Sequence, residues 1–329
     1  MPDIINSITK FRPPEKMLRA MTKQAVNHDL TEFSYKELAG GFCNAVYLIE
    51  TDSEKLVLKV ASSQDVVLMR HERDYVPAEA KTLELFNQKL NIPVPKLIYF
   101  DDSKRICSVP YFFMSFMEGT PLSNTDPSPS KAEWDEIKFR VGEICREISS
   151  IKAKKFGIPV LPETHRHSNY AFVTALFKML FMDIADKNAY VPETPEKELM
   201  ALLKRCEPAL NEVTQPVYIH TDTWEGNLMV KEGKLAGIVD HAAVLWGDPL
   251  MNHDFHDLLP RPNPHFCKGF GKESFTRNEE IRMTVYRVWH RLGIIAERAF
   301  RSYDDPDTYA WALDEYVREV ARLKNMLNQ

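Results

Sequence analysis

Three polar side chains, Asp222, Asn227 and Asp240, stand where short apolar stretches end, and their types are those that handle metal-bound phosphate. Asp222 follows Val217 and Ile219, and Asn227 comes after four intervening residues. Asp240 closes a second apolar stretch, Leu235, Ile238 and Val239, which leaves a turn at Glu232-Gly233. Strands joined by a tight turn run antiparallel, so the residue entering the first and the residue leaving the second finish at the same end. This predicts Asn227 and Asp240 as neighbours. An amide oxygen beside a carboxylate is a hard-oxygen pair suited to Mg2+, which keeps several waters and takes further ligands from substrate phosphates. Asp222, one loop away, is then placed as a base. Together they are the groups phosphoryl transfer needs: one to orient and deprotonate an attacking hydroxyl, two to hold metal on the phosphates.

The elements that must position these groups follow from periodicity. Residues 14–30 read as an amphipathic helix with Pro14 in its first turn. Tyr35 to Phe42 and Ala45 to Glu50 read as strands around a Gly40-Gly41 break, and Lys55 to Val60 as a third. Pro77 opens a helix carrying Leu83, Leu85 and Phe86, which closes at Asn91-Ile92-Pro93-Val94-Pro95. Strands Lys96–Phe100 and Pro110–Met117 follow, and Glu118 to Ser130 is a polar, proline-containing hinge and loop. Beyond it, 131–150, 168–187, 195–212, 277–300 and 305–328 read as helices, with strand-like sequence between Pro216 and Val244. Strands first and helices afterwards predict an α+β chain of two domains, residues 1–117 and 118–329.

Composition narrows the partners. The 329 residues carry 42 Lys plus Arg against 47 Asp plus Glu, a net charge of −5 that offers no basic field for nucleic acid. The five cysteines are odd in number and never in a C-x-x-C pair, which disfavours a disulfide framework or zinc ribbon and fits a reducing cytosol. Met1 to Asn6 leads to Pro13-Pro14 without an apolar signal core, and no uncharged run approaches membrane-spanning length. The expected setting is cytoplasmic, with neither nucleic acid nor membrane as partner.

The pattern His220-x-Asp222-x4-Asn227-x12-Asp240-x7-Asp248 resembles the catalytic segment of the aminoglycoside phosphotransferase family, a kinase-like group that also holds choline and fructosamine kinases. Ala39-Gly40-Gly41-Phe42-Cys43-Asn44 looks like that family's nucleotide-positioning loop, where Gly40 and Gly41 let backbone N–H groups approach phosphate. Leu56-Val57-Leu58-Lys59 looks like the strand whose lysine contacts the α and β phosphates, and Glu79 matches its acidic partner ahead of the rivals Glu72 and Glu84. Tyr111 to Gly119 resembles the hinge against which adenine stacks, with Ser115 and Met117 offering backbone groups to the base. Asp248, in Trp246-Gly247-Asp248-Pro249, is the residue that would fix the catalytic loop by hydrogen bonds. The resemblance implies a bilobal protein-kinase-like fold, ATP and Mg2+ as cofactors, and transfer of the γ-phosphoryl group to a hydroxyl of a small molecule: an aminoglycoside, choline-like amine, sugar or amino alcohol. Thr221, Thr223-Trp224-Glu225 and His241 depart from the commonest pattern, and the Trp-x-Gly-Asn form is nearer to fructosamine-kinase-like members.

Other readings compete. A non-catalytic nucleotide-binding pseudokinase would keep the fold without turnover, but the complete Lys59, Asp222, Asn227 and Asp240 set speaks against it. A protein Ser/Thr kinase is disfavoured by the absence of His-Arg-Asp, Asp-Phe-Gly and Ala-Pro-Glu. His220 reads as orienting rather than catalytic. His253, His256, His265 and Cys267 lack the ligand-pair spacing of a structural zinc site. Asp254, Asp257 and Glu225 form either a contact for a cationic acceptor or a solvated acidic surface. Tyr286, Trp289, His290 and Tyr303 read as helix packing.

Overall fold

The structure, a computed structural model, describes residues 7–39, 43–191, 196–256, 262–301 and 306–328. In chain order these form α1 (Glu15–Val26), β1 (Phe33–Glu37), β2 (Ala45–Thr51), β3 (Lys55–Val60), α2 (Tyr75–Lys89), β4 (Leu97–Asp101), β5 (Tyr111–Ser115) and β6 (Thr120–Pro121). There follow α3 (Lys131–Ile148), β7 (Phe156–Ile158), β8 (Leu161–Arg166), α4 (Asn169–Lys187), α5 (Glu196–Arg205), α6 (Glu207–Leu210) and β9 (Val217–His220). The chain ends with β10 (Leu228–Lys231), β11 (Lys234–Ile238), β12 (Val244–Gly247), α7 (His253–His256), α8 (Pro264–Phe270), α9 (Arg277–Arg301) and α10 (Pro306–Asn328).

Two compact units share these elements: Met1–Leu68, Asp74–Ser130 and Glu225–Ala243 in one, Met69–Arg73, Lys131–Trp224 and Val244–Gln329 in the other. Compactness therefore does not divide the chain once, after residue 117. Glu225–Ala243 joins the first unit because β10 pairs with both β11 and β6 there.

In the first unit an antiparallel five-stranded sheet runs in the order β1-β2-β3-β5-β4. Side chains alternate across a strand, and β3 shows it. Leu56, Leu58 and Val60 pack on one face with Ala45, Tyr47 and Ile49 of β2 and Leu18 and Met21 of α1. Val57 packs on the other face with Val76, Ala80 and Leu83 of α2. Helix α1 stops at Asn27, whose φ of 57° places it in the left-handed region that favours asparagine and glycine at such ends.

In the second unit a four-stranded sheet, β8-β7-β12-β9, accompanies helices α3 to α10. The single helix expected over 195–212 is two, α5 and α6, broken at Cys206. Pro208 has no N–H for the carbonyl four residues back, which ends the ladder there. Helices α3 and α8 meet backbone to backbone at two glycines. A Cβ on Gly142 would lie 2.2 Å from the Phe266 carbonyl oxygen, and one on Gly269 2.0 Å from that of Phe139. Among the described residues no helix is long and apolar enough to cross a membrane.

Candidate active site

The period of two that buries Val57 against α2 also turns Lys59 toward that helix, since residues two apart share a face. On α2, Val76, Glu79, Ala80 and Leu83 follow the i, i+3, i+4, i+7 stripe of one helix face. Lysine and glutamate therefore meet in the layer between sheet and helix. Lys59 Nζ lies 2.5 Å from Glu79 Oε2 and 2.8 Å from Asp240 Oδ1. The Glu79 side chain is fully buried and that of Lys59 nearly so, whereas Asp240 is 42% exposed.

Burial disfavours the Lys59 ammonium, but the charges of Asp240 and Glu79 outweigh it and leave the group above its ordinary value. Burial raises the Glu79 carboxyl, with Lys59 and the His241 N–H pulling the other way. That N–H donates to Glu79 Oε1 at 3.0 Å. His241 itself is buried, and burial pushes its imidazole down to about 4. The ring is thus neutral near pH 7, with Nε2 donating to the Ile238 carbonyl at 3.0 Å and an edge set against Phe86. An aromatic side chain could fill this space, and a neutral imidazole serves the same end.

Asp240 and Asn227 belong to one hairpin. The turn residues Glu232 and Gly233 both take positive φ, 51° and 73°, as a two-residue type I′ connection requires. Leu228 faces Ile238, and Val239 N donates to the Asn227 carbonyl at 3.0 Å, so Asn227 and Asp240 leave the hairpin at the same end. Asp240 takes φ 61°, the left-handed region that Asp tolerates better than most residues. Asn227 is buried and Asp240 partly open, and their oxygens are the hard donors Mg2+ prefers. The donor set fits that ion.

Asp222 belongs to the second unit, just past β9. β9 pairs with β12 from Val217–Gly247 to His220–Val244, which fixes where the loop begins. Asp222 N donates to His220 Nδ1 at 3.2 Å, so that nitrogen is an acceptor and the ring orients the backbone. His220 N donates to Asn252 Oδ1 at 3.3 Å, and the Thr223 hydroxyl donates to Asp254 Oδ2 at 2.9 Å.

The remaining predicted positions divide sharply. Gly40 and Gly41 lie outside the described residues, as do Asp257 and Tyr303. Ser115 ends β5, but its N–H donates to the Lys96 carbonyl and its Oγ accepts from Lys96 N, both at 2.9 Å, so its amide is engaged within the sheet. Met117 is half-buried, and its thioether lies where a Cβ on Gly237 would be, 2.5 Å away. Glu72, the rival of Glu79, is buried in the second unit against Arg301. Glu84 is exposed. Asp248 caps the turn 249–251 through Leu250 N, and its other oxygen takes Arg282 Nε and Tyr286 OH, both at 2.8 Å. Tyr286 is thus a hydrogen-bonding member of the core as well as packing in it. Asp254 is neither a cation contact nor a solvated acid. It is 5% exposed and ion-paired to Lys138 at 2.8 Å, a position the sequence disguises because Asp254 stands among the polar residues His253, His256 and Asp257. His253 and His256 are buried, and among the described residues no group of three or more His, Cys, Asp or Glu could hold a metal ion.

Asn252 and Lys138 escape sequence reasoning. Asn252 comes three residues after the proline of Gly247-Asp248-Pro249, but an asparagine in such a loop carries no distinguishing signal. Lys138 does: it falls between Ile137 and Val141 on the buried side of α3, where a lysine needs a partner.

The model of the phosphotransferase enzyme family, APH, matches residues 34–273. A candidate fructosamine-3-kinase from Haemophilus somnus 129PT superposes with a TM-score of 0.67 at 14% identity, covering 93% of this chain and 97% of that one. The streptomycin–ATP ternary complex of APH(2″)-IIa gives 0.56 at 15% identity, over 96% and 97% of the two chains. A thermostable APH(4)-Ia mutant with AMP-PNP and hygromycin B gives 0.62 at 12%, over 92% and 98%. At such identities the likeness is one of fold: α+β, protein-kinase-like. No curated protein sequence matches.

Proposed function

Because this chain belongs to the phosphotransferase enzyme family and is a small-molecule kinase, we propose that it moves the γ-phosphoryl group of ATP to a hydroxyl of a small organic acceptor. The observation that carries this reading is the buried Lys59–Glu79 ion pair with Asp240 on the same ammonium. A lysine held charged inside the protein by two carboxylates is prepared for phosphate oxygens, and nothing in core packing calls for it.

Lys59 contacts the α and β phosphates, and Glu79 keeps its ammonium aimed. Gly40 and Gly41 are the residues we assign to phosphate binding and Met117 the one we assign to a backbone contact with the adenine, whereas the Ser115 amide is engaged with Lys96. Asn227 and Asp240 would hold Mg2+, which would supply neutralisation of the phosphate charge. Asp222 orients the acceptor hydroxyl and takes its proton as the oxygen attacks. The acceptor class spans aminoglycosides, choline-like amines, sugars and amino alcohols. The structurally similar kinases were solved with streptomycin and hygromycin B, which keeps polyhydroxylated, amine-bearing molecules first among acceptors to test. Five buried cysteines that form no disulfide support a cytoplasmic setting.

A coupled ADP-release screen over hydroxyl-bearing metabolites and aminoglycosides, with Asp222→Asn protein as blank, tests the reading. Acceptor-dependent, Mg2+-dependent ADP release by the wild-type chain alone is expected. Nucleotide binding without turnover on any acceptor would favour a pseudokinase and overturn it.

A further inference from the structure

The proposed chemistry uses Asp222, yet the most heavily built polar cluster near that residue lies behind it. Lys138 of α3 and Asp254 of α7 form an ion pair at 2.8 Å with side chains 4% and 3% exposed. Asp254 Oδ2 accepts the hydroxyl of Thr223, itself fully buried and adjacent to Asp222. Cys145 lies about two helical turns along α3 from Lys138, and burial together with the Asp254 charge pushes its thiol well up. Trp134 presents its ring 5.8 Å from Lys138 Nζ.

Burying two charges costs desolvation that their attraction seldom exceeds, and well-packed apolar residues would stabilise the fold as well or better. Such a pair is therefore weak evidence for stability, and its geometry says what else it does. A carboxylate that accepts from Thr223 with one oxygen needs its charge compensated at the other, and Lys138 does that from a neighbouring helix. Thr223 is fixed on one side of Asp222. On the other, His220 is held by Asn252, and Asp222 N by the His220 ring.

We propose that Lys138 is a positioning residue for phosphoryl transfer: acting through Asp254 and Thr223, it fixes the backbone that aims Asp222. The inference rests on the assignment of Asp222 as the base, and a displaced base costs turnover without costing nucleotide affinity. Lys138→Met should lower kcat about 10–100-fold while the KM for ATP stays within about twofold. The double variant Lys138→Met/Asp254→Asn removes the uncompensated charge and keeps an oxygen for Thr223, so it recovers most of the lost kcat. Lys138→Met/Asp254→Leu, a folded apolar replacement, does not. Thr223→Val behaves like that apolar pair, and Thr223→Ser like wild type.

The same proteins are compared by amide hydrogen exchange over the peptide 217–224, which needs no acceptor. Exchange at Asp222 should rise about tenfold or more in Thr223→Val and in the apolar pair, with the rest of the second unit protected as before. Wild-type kcat and unchanged exchange in both variants overturn the proposal. If the wild-type chain phosphorylates nothing, the kinase reading fails, and the exchange data alone still decide whether Lys138 positions this loop.

Discussion

At the scale of single residues, a base and an orienting pair should fail differently. Asp222→Asn keeps the side-chain shape but cannot take a proton, so kcat should fall about 10²–10⁴-fold while ATP affinity, measured by calorimetry, stays near wild type. A variant with near-normal turnover would remove Asp222 from the role. Glu79→Gln acts on nucleotide handling instead. It removes the carboxylate that meets Lys59 and the His241 N–H and leaves Asp240 as the ammonium's remaining charged partner. Loss of a charge-assisted hydrogen bond predicts a rise in the KM for ATP of about tenfold or more, read from initial rates at saturating acceptor. That Asn227 and Asp240 leave one hairpin at the same end was legible, because the apolar stretches and the Glu232-Gly233 turn between them define the hairpin. Asp254 was not. Its acidity looked like surface or substrate chemistry, and only the arrival of Lys138 from a helix more than a hundred residues earlier makes it an interior pair.

Elements place those residues, and glycine decides how closely the elements approach. The strands of the first sheet and the helix α2 could be anticipated from alternation and helical spacing, whereas the sheet order, which sets β5 between β3 and β4, and the close approaches could not. A glycine inside a strand or helix reads locally as a weakness. Gly237 in β11 shows the other reason for it. A Cβ there would stand 2.5 Å from both the Pro93 carbonyl oxygen and the Met117 sulfur, and the next residue's N–H donates to that same carbonyl at 3.0 Å. Met117 can swing aside and the Pro93 backbone cannot. Gly237→Ala should therefore destabilise by about 1–3 kcal/mol and, if Met117 contacts the adenine as proposed, raise the KM for ATP, both measurable on one preparation by thermal melts and kinetics. Gly142→Ala in α3 meets only backbone, the Phe266 carbonyl oxygen and Phe270 nitrogen, so α8 itself must shift. It should lower Tm at least as much as Gly237→Ala while leaving the KM for ATP unchanged. An effect of Gly142→Ala on the KM for ATP but not on Tm would contradict this account of the α3–α8 crossing.

For the whole molecule, the consequence lies in how the chain is threaded. A sequence with strands first and helices later invites a cut near residue 117, because composition and hinge chemistry vary along the chain while compactness is decided by which strands pair. The first unit takes its third set of strands from residues 225–243: β10 pairs with β6, Ile238 N donates to Pro93, and Asp240 reaches Lys59. A fragment ending at residue 117 lacks β6 and this hairpin, leaving Pro93 and Met117 without the backbone that covers them and Lys59 with Glu79 alone in a buried layer. Such a fragment should lose the cooperative thermal transition of the full chain and show poor amide dispersion by NMR. Adding a synthetic peptide of residues 225–243 to a fragment ending at Ser130, which restores β6, should recover part of that dispersion. A 1–117 fragment that melts as sharply as the intact protein would mean that the hairpin is an accessory to the first unit rather than part of its core.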